Sequence, residues 1–133
     1  MGNMGTHRDL VVWQAAMDLV EMVYRATAAF PKEEIYGLTA QTRRSAVSVP
    51  VNIAEGACRN SSRELFQYLG IATGSLAELE TELELAIRLR YLPQDVDALA
   101  QAHRVGRLAN ALRTSIRKRM AGGHEGNTPH QSR

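Results

Sequence analysis

The chain has 133 residues, one cysteine and a formal net charge of +2, enough for one self-sufficient domain. Cys58 alone excludes an internal disulfide framework and fits a reducing, cytoplasmic setting. Met1 to Arg8 lacks the apolar centre of a signal peptide, and no apolar run approaches the ~18 residues that span a bilayer.

The first helix is predicted from Asp9 to about Ala29, after a flexible N-terminus over 1–8. Leu10, Trp13, Met17, Val20 and Tyr24 recur at threes and fours, the spacing of one buried stripe. Phe30-Pro31 ends it, because the residue before a proline avoids helical geometry. A connection over Pro31–Gly37 follows.

The second helix is predicted from Thr39, read as its N-cap, to about Ala57. Pro50 lies well inside. It cannot donate to the Ala46 carbonyl and its ring crowds that group, so a kink is expected there. The pattern keeps its phase across the proline, which favours one kinked helix over two short ones broken at Val49.

Ser61 followed by Glu64 is a capping-box pattern that opens the third helix. Leu65, Leu69, Ala72, Leu76, Leu79, Leu83 and Ala86 then alternate steps of four and three, as in a bundle seam. Gly70 and Gly74 each cost about 1 kcal/mol relative to alanine, and close approach of another backbone is the expected compensation. Tyr91-Leu92-Pro93 closes this helix. The fourth runs from about Gln94 to Met120 on a stripe of Val105, Leu108, Leu112 and Ile116. The glycine-rich, polar stretch 121–133 cannot bury a core and reads as a disordered tail. No strand pattern competes, and short connections make sequential helices antiparallel neighbours. The expectation is an all-α, up-down-up-down four-helix bundle over 9–120.

The chain resembles a bacterial family of four-helix-bundle proteins encoded in intervening sequences of 23S ribosomal RNA genes. The resemblance spans Leu10 to Arg119. It rests on Leu10-Val11-Val12-Trp13-Gln14, Phe30-Pro31, Tyr36-Gly37-Leu38-Thr39, Gln41, Arg43-Arg44, Ser48, Pro50, Asn52-Ile53-Ala54-Glu55-Gly56, Leu69, Ile71-Ala72-Thr73-Gly74-Ser75-Leu76 and Glu78-Leu79-Glu80. It implies a helical bundle that assembles into a ring-like homopentamer. A more distant similarity, to the accessory protein of diversity-generating retroelements, implies work beside a reverse transcriptase and nucleic acid.

At about 100° per residue, Gln41, Arg44, Ser48, Asn52 and Glu55 share roughly a quarter turn of the second helix. Arg44 and Glu55 lie about 16 Å apart along it and cannot pair with each other. Three environments are open to this stripe: a hydrogen-bonded seam or subunit contact, a ligand or nucleic-acid pocket, and solvent. The seam is the preferred reading, since buried polar groups are normally satisfied.

Every basic residue except Lys32 and Lys118 is an arginine, suited to bidentate phosphate or carboxylate contacts. Ala98–Met120 carries Arg104, Arg107, Arg113, Arg117, Lys118 and Arg119 and no acidic residue. One reading is a snorkelling face paired with glutamates of the third helix; the other is a set of phosphate contacts to RNA or DNA. No aromatics interleave with these arginines, which argues against base stacking.

Glu78, Glu80, Glu82 and Glu84 read as a solvated acidic face, because di-iron bundles need Glu-x-x-His pairs and none is present. The Gly-x-Ser-x-Gly elbow is missing around Gly74-Ser75. Cys58 has no histidine near it in sequence and reads as a small buried thiol. The sequence therefore points to a non-enzymatic homo-oligomeric scaffold or adaptor, engaging nucleic acid or a protein that processes it, with no metal, cofactor or membrane. The alternative is a small ligand-binding or enzymatic bundle using the polar stripe.

Overall fold

The computed structural model describes residues 5–131, and the side chains of 5–122. Among them four helices stand out: α1 (Val11–Thr27), α2 (Leu38–Ala57), α3 (Ser62–Arg88) and α4 (Asp97–Gln131). Short 3-10 turns at His7–Asp9 and Lys32–Glu34 precede α1 and α2. There is no strand among the described residues. Each helix packs on its chain neighbours, and α1 also packs on α4, which encloses one core.

Contacts between neighbouring helices descend one helix as they climb the other. Gly56 of α2 meets Leu65 and Tyr68 of α3, and the Ser48 hydroxyl lies 2.8 Å from that of Ser75. Farther along, Ser45 and Arg44 face Glu82. From α3 to α4, Gly70 sits beside Arg113 and Glu80 lies 3.6 Å from His103.

The α3 stripe is buried from Leu69 to Ala86, with Leu65 partly covered at the start of the helix. Val105 and Ile116 of α4 are buried, and Leu108 and Leu112 partly so. For α1 the predicted stripe is out of phase. The core takes Val12, Ala15, Ala16, Leu19, Val23 and Thr27, while Met17 and Tyr24 remain 41% and 43% exposed. This helix is apolar on more than one face, and the small alanines admit the closer helix approach.

Local details depart from the sequence pattern in instructive ways. Gly37, not Thr39, stands at the N-cap of α2, and it brings no capping side chain of its own. The Leu38 N–H donates to Glu34 Oε1 at 3.1 Å, while the Tyr91 hydroxyl donates to Glu34 Oε2 at 2.9 Å. One carboxylate thus ties the helix start to the α3–α4 connection. Pro50 is buried inside α2 without splitting it into two helices. Ser61 caps α3 by accepting from the Glu64 N–H at 3.2 Å.

The two glycines of α3 do not admit a backbone. A Cβ on Gly70 would sit 3.2 Å from Arg113 Nη2, and one on Gly74 would meet nothing within 4 Å. The close crossing is at Gly56, where a Cβ would lie 2.6 Å from Tyr68 Cβ. Cys58 is exposed rather than buried, because it sits at the C-cap of α2.

Thr6, in the segment read as flexible, forms a reciprocal capping box with Asp9, and residues 1–4 lie outside the described ones. The α4 backbone stays helical past Met120 to Gln131. Met120 is the last described side chain packed on the core.

Candidate functional site: two grooves along α2 and the basic end of α4

The polar stripe of α2 divides into three parts. Ser48 and Asn52 form a seam: Asn52 Nδ2 donates to the Ser48 carbonyl at 2.8 Å and to its hydroxyl at 3.0 Å. The Ser48 hydroxyl in turn shares a hydrogen bond with Ser75. Gln41 and Arg44 are exposed and border an open groove of about 640 Å³ between α2 and α3. Glu55 takes neither role. It is half-exposed and accepts from Arg59 Nη2 at 2.6 Å, one turn along its own helix.

Across that groove lie Glu78, Thr81 and Glu82. Glu82 breaks the expectation of a uniformly solvated acidic face. Its Oε1 is buried and has no hydrogen-bond partner in the protein. Burial pushes its carboxyl above the usual carboxylate range. The Ser45 hydroxyl opposes this, Glu78 reinforces it, and Arg44 opposes it in turn. The sequence hides this distinction, because the face a glutamate takes depends on where α2 packs. Among the described residues no cluster of metal-ligating side chains forms.

On the other flank of α2 the surface changes character. Trp13, Met17 and Val20 of α1 meet Val47, Pro50, Val51 and Ala54 of α2 along an apolar groove of about 330 Å³. Val51 is 56% exposed. Trp13, Met17 and Val20 of the mis-phased α1 stripe therefore line an outer groove, with Trp13 and Val20 also packed against the edge of the core. Trp13 is steadied by an edge-on contact with His7, ring centroids 5.1 Å apart.

The basic residues of α4 do not form one patch. Arg104 and Arg107 are exposed nearer its start, and Lys118 is about 16 Å beyond Arg107 along the helix. Arg113 and Arg117 turn toward α3, where their guanidinium carbons lie 4.3 and 5.2 Å from the centroid of the same Phe66 ring. An aromatic thus does meet these arginines, delivered by a different helix. Arg113 Nε is buried without an acceptor, facing instead the environment shared by Phe66 and Gly70. Among the described residues, no α4 arginine or lysine forms an ion pair with a glutamate of α3; the one α3–α4 contact of that type is His103 with Glu80. Lys118 and Arg119 are exposed.

Arg43, beside the stripe, is structural. Its Nε donates to the Thr27 hydroxyl at 2.7 Å, its Nη2 to the Tyr24 carbonyl at 3.3 Å, and its guanidinium lies 4.4 Å from the Tyr24 ring centroid. It ties the end of α1 to the start of α2. Among the described residues, no helix is long and apolar enough to cross a membrane.

A search of curated proteins returns no match. The family model of the 23S rRNA-intervening sequence protein matches residues 8–111, which takes in α1, α2, α3 and the packed first half of α4. With most of its length covered by that match and four helices packed around one core, the chain belongs to the 23S rRNA-intervening sequence protein family.

Proposed function

We propose that the protein is a non-enzymatic, cytoplasmic scaffold, an up-down-up-down bundle that closes into a homo-oligomeric ring and engages nucleic acid or a nucleic-acid-processing partner. The observation that carries the assembly is the solvent-open apolar groove between α1 and α2. Its occupant is a second copy of the chain. A second apolar surface suits the role: Leu85 of α3 and Leu89 at its C-cap are 45% and 47% exposed. Their spacing of four residues puts them one turn apart on one row. Two different apolar surfaces on one protomer are what a head-to-tail contact needs, and head-to-tail contacts close into rings when the rotation allows. Gln41 and Arg44, on the α2–α3 side of the same helix, supply a polar rim to such an interface. The family resemblance puts the ring at five subunits.

Sedimentation equilibrium tests this with two variants. Val51→Asp damages the groove and Leu85→Asp damages the row. Each alone should be monomeric, and an equimolar mixture should form a dimer through its single intact interface. A wild-type protein that is monomeric at micromolar concentration would overturn the scaffold reading.

The alternative, a small ligand-binding or enzymatic bundle, draws on the α2–α3 groove. Its volume of about 640 Å³ falls within the range of small-molecule sites. Native mass spectrometry that finds a small molecule retained in stoichiometric amount, and lost in Arg44→Ala, would favour it over the scaffold.

A further inference from the structure

We infer that the bundle end formed by the start of α3 and the basic stretch of α4 binds the phosphate backbone of nucleic acid, through Arg63, Arg117 and Lys118, with Phe66 as the residue that positions the guanidinium groups. The inference rests on the scaffold reading only for the repetition of the site around a ring.

Arg113 and Arg117 are held against one phenyl ring, yet neither pairs with a carboxylate among the described residues. Two like charges gathered at one place repel, and an anion relieves that repulsion. Gly70 makes the arrangement possible by leaving room for the Arg113 guanidinium. Arg113 is partly buried, so it serves as the inner member that sets the potential, whereas Arg117 is exposed.

Residues outside α4 extend the surface. Arg63 is exposed and lies one turn before Phe66 on α3. The α3–α4 contacts move toward the end of α4 as α3 is followed back to its start, from Glu80–His103 through Gly70–Arg113 to Phe66–Arg117. The same step brings Arg63 level with the stretch Arg117–Met120. Lys118 and Arg119 are exposed there, and Ala98–Met120 contains no acid to neutralise them. Arg104 and Arg107 lie too far up α4 to belong to this end.

Chemistry narrows the occupant. Guanidinium forks match phosphate oxygens bidentately, and arginines dominate the set. A row of such groups along a helix end suits a repeating polyanion better than a single small anion. Phe66 is already covered by arginines, so contact is to the backbone and only weakly dependent on sequence.

The test is fluorescence anisotropy with a labelled 20-nucleotide oligouridylate and a 20-base-pair DNA duplex, with sedimentation of the same samples. Wild type should bind at 20 mM salt, with log K falling linearly against log salt. The triple variant Arg63→Gln/Arg117→Gln/Lys118→Gln should lose tenfold or more in affinity at low salt. Its salt slope should shrink by about 0.7–0.9 for each phosphate contact removed. A control triple, Arg25→Gln/Lys32→Gln/Arg88→Gln, removes equal charge at the opposite end and should leave both quantities nearly unchanged. Phe66→Leu should weaken binding while the oligomer persists. Equal losses from both triples would overturn the site in favour of net charge alone. So would absence of wild-type binding to both probes, or equally tight binding to phosphatidylglycerol vesicles. Sedimentation reports the scaffold separately: a monomer that still binds through these residues would sink the ring and leave the site standing.

Discussion

Arg113 of α4 stacks its guanidinium 4.3 Å from the ring centroid of Phe66 of α3, in a niche opened by the missing side chain of Gly70. This contact joins residues forty-seven positions apart and gives a glycine inside a helix a purpose. Phe66→Leu keeps an apolar side chain but removes the ring's attraction for two cations. The expected loss is about 0.5–2 kcal/mol of stability, measured by urea denaturation. A double-mutant cycle with Arg113→Met should show that the two changes are not additive; simple additivity would deny the contact any energetic weight.

At Gly56, α2 and α3 cross closely. Alanine there would place its Cβ 2.6 Å from Tyr68 Cβ and 3.3 Å from Leu65 Cα. Neither neighbour is the free end of a flexible chain, so the helices must separate. Gly56→Ala should cost about 1–3 kcal/mol, the range for overpacked cores, despite its better helix propensity. A variant as stable as the wild type would show that the turn at Cys58–Ser61 yields more easily than the packing implies.

Arg90 follows α3 with φ of 66°, and the Tyr91 N–H returns to the Ala86 carbonyl at 2.9 Å. This is the left-handed stop that glycine usually occupies. Glycine at this position removes the side-chain clash, worth about 1 kcal/mol. Arg90→Gly should therefore raise the melting temperature by a few degrees, read by circular dichroism. A decrease would mean that the arginine side chain contributes more than its backbone conformation costs.

Glu82 makes stability depend on pH. Burial raises its carboxyl above the ordinary range in the folded chain, so the folded state holds its proton more tightly than the unfolded state does. Stability from this group is fully present below the unfolded-state pKa and declines as pH rises through the folded one. Glu82→Gln should accordingly melt at a higher temperature than wild type at pH 7, with the difference closing near pH 4. A gap that is constant between those pH values would remove ionisation as its cause.

Glu55 has a partner one turn away, Arg59, and both side chains are substantially exposed at 49% and 42%. An exposed pair of this kind contributes little, because water and salt screen it and ordering two long side chains costs entropy. Glu55→Ala should thus leave the melting temperature of the protomer almost unchanged. A loss of several kcal/mol in the assembled protein, absent from the monomeric Val51→Asp background, would place Glu55 at a subunit contact.

The α3 helix was legible from its residues alone, because its apolar side chains occupy one face and Ser61 caps its start within the same segment. The four-helix class follows from such periodicities and from Phe30-Pro31 and Pro93 between them. The face that α1 buries was not legible. Apolar residues surround much of it, and packing selected the small side of Ala15 and Ala16 while leaving Met17 and Val20 to the outer groove. The same limit hid the Glu34 clamp on Leu38 and Tyr91, the buried Glu82 oxygen and the arginines on Phe66. Periodicity constrains residues a turn or two apart, through geometry internal to one helix. The meeting of side chains from different helices depends on their mutual register, which is set by how the whole core fills space.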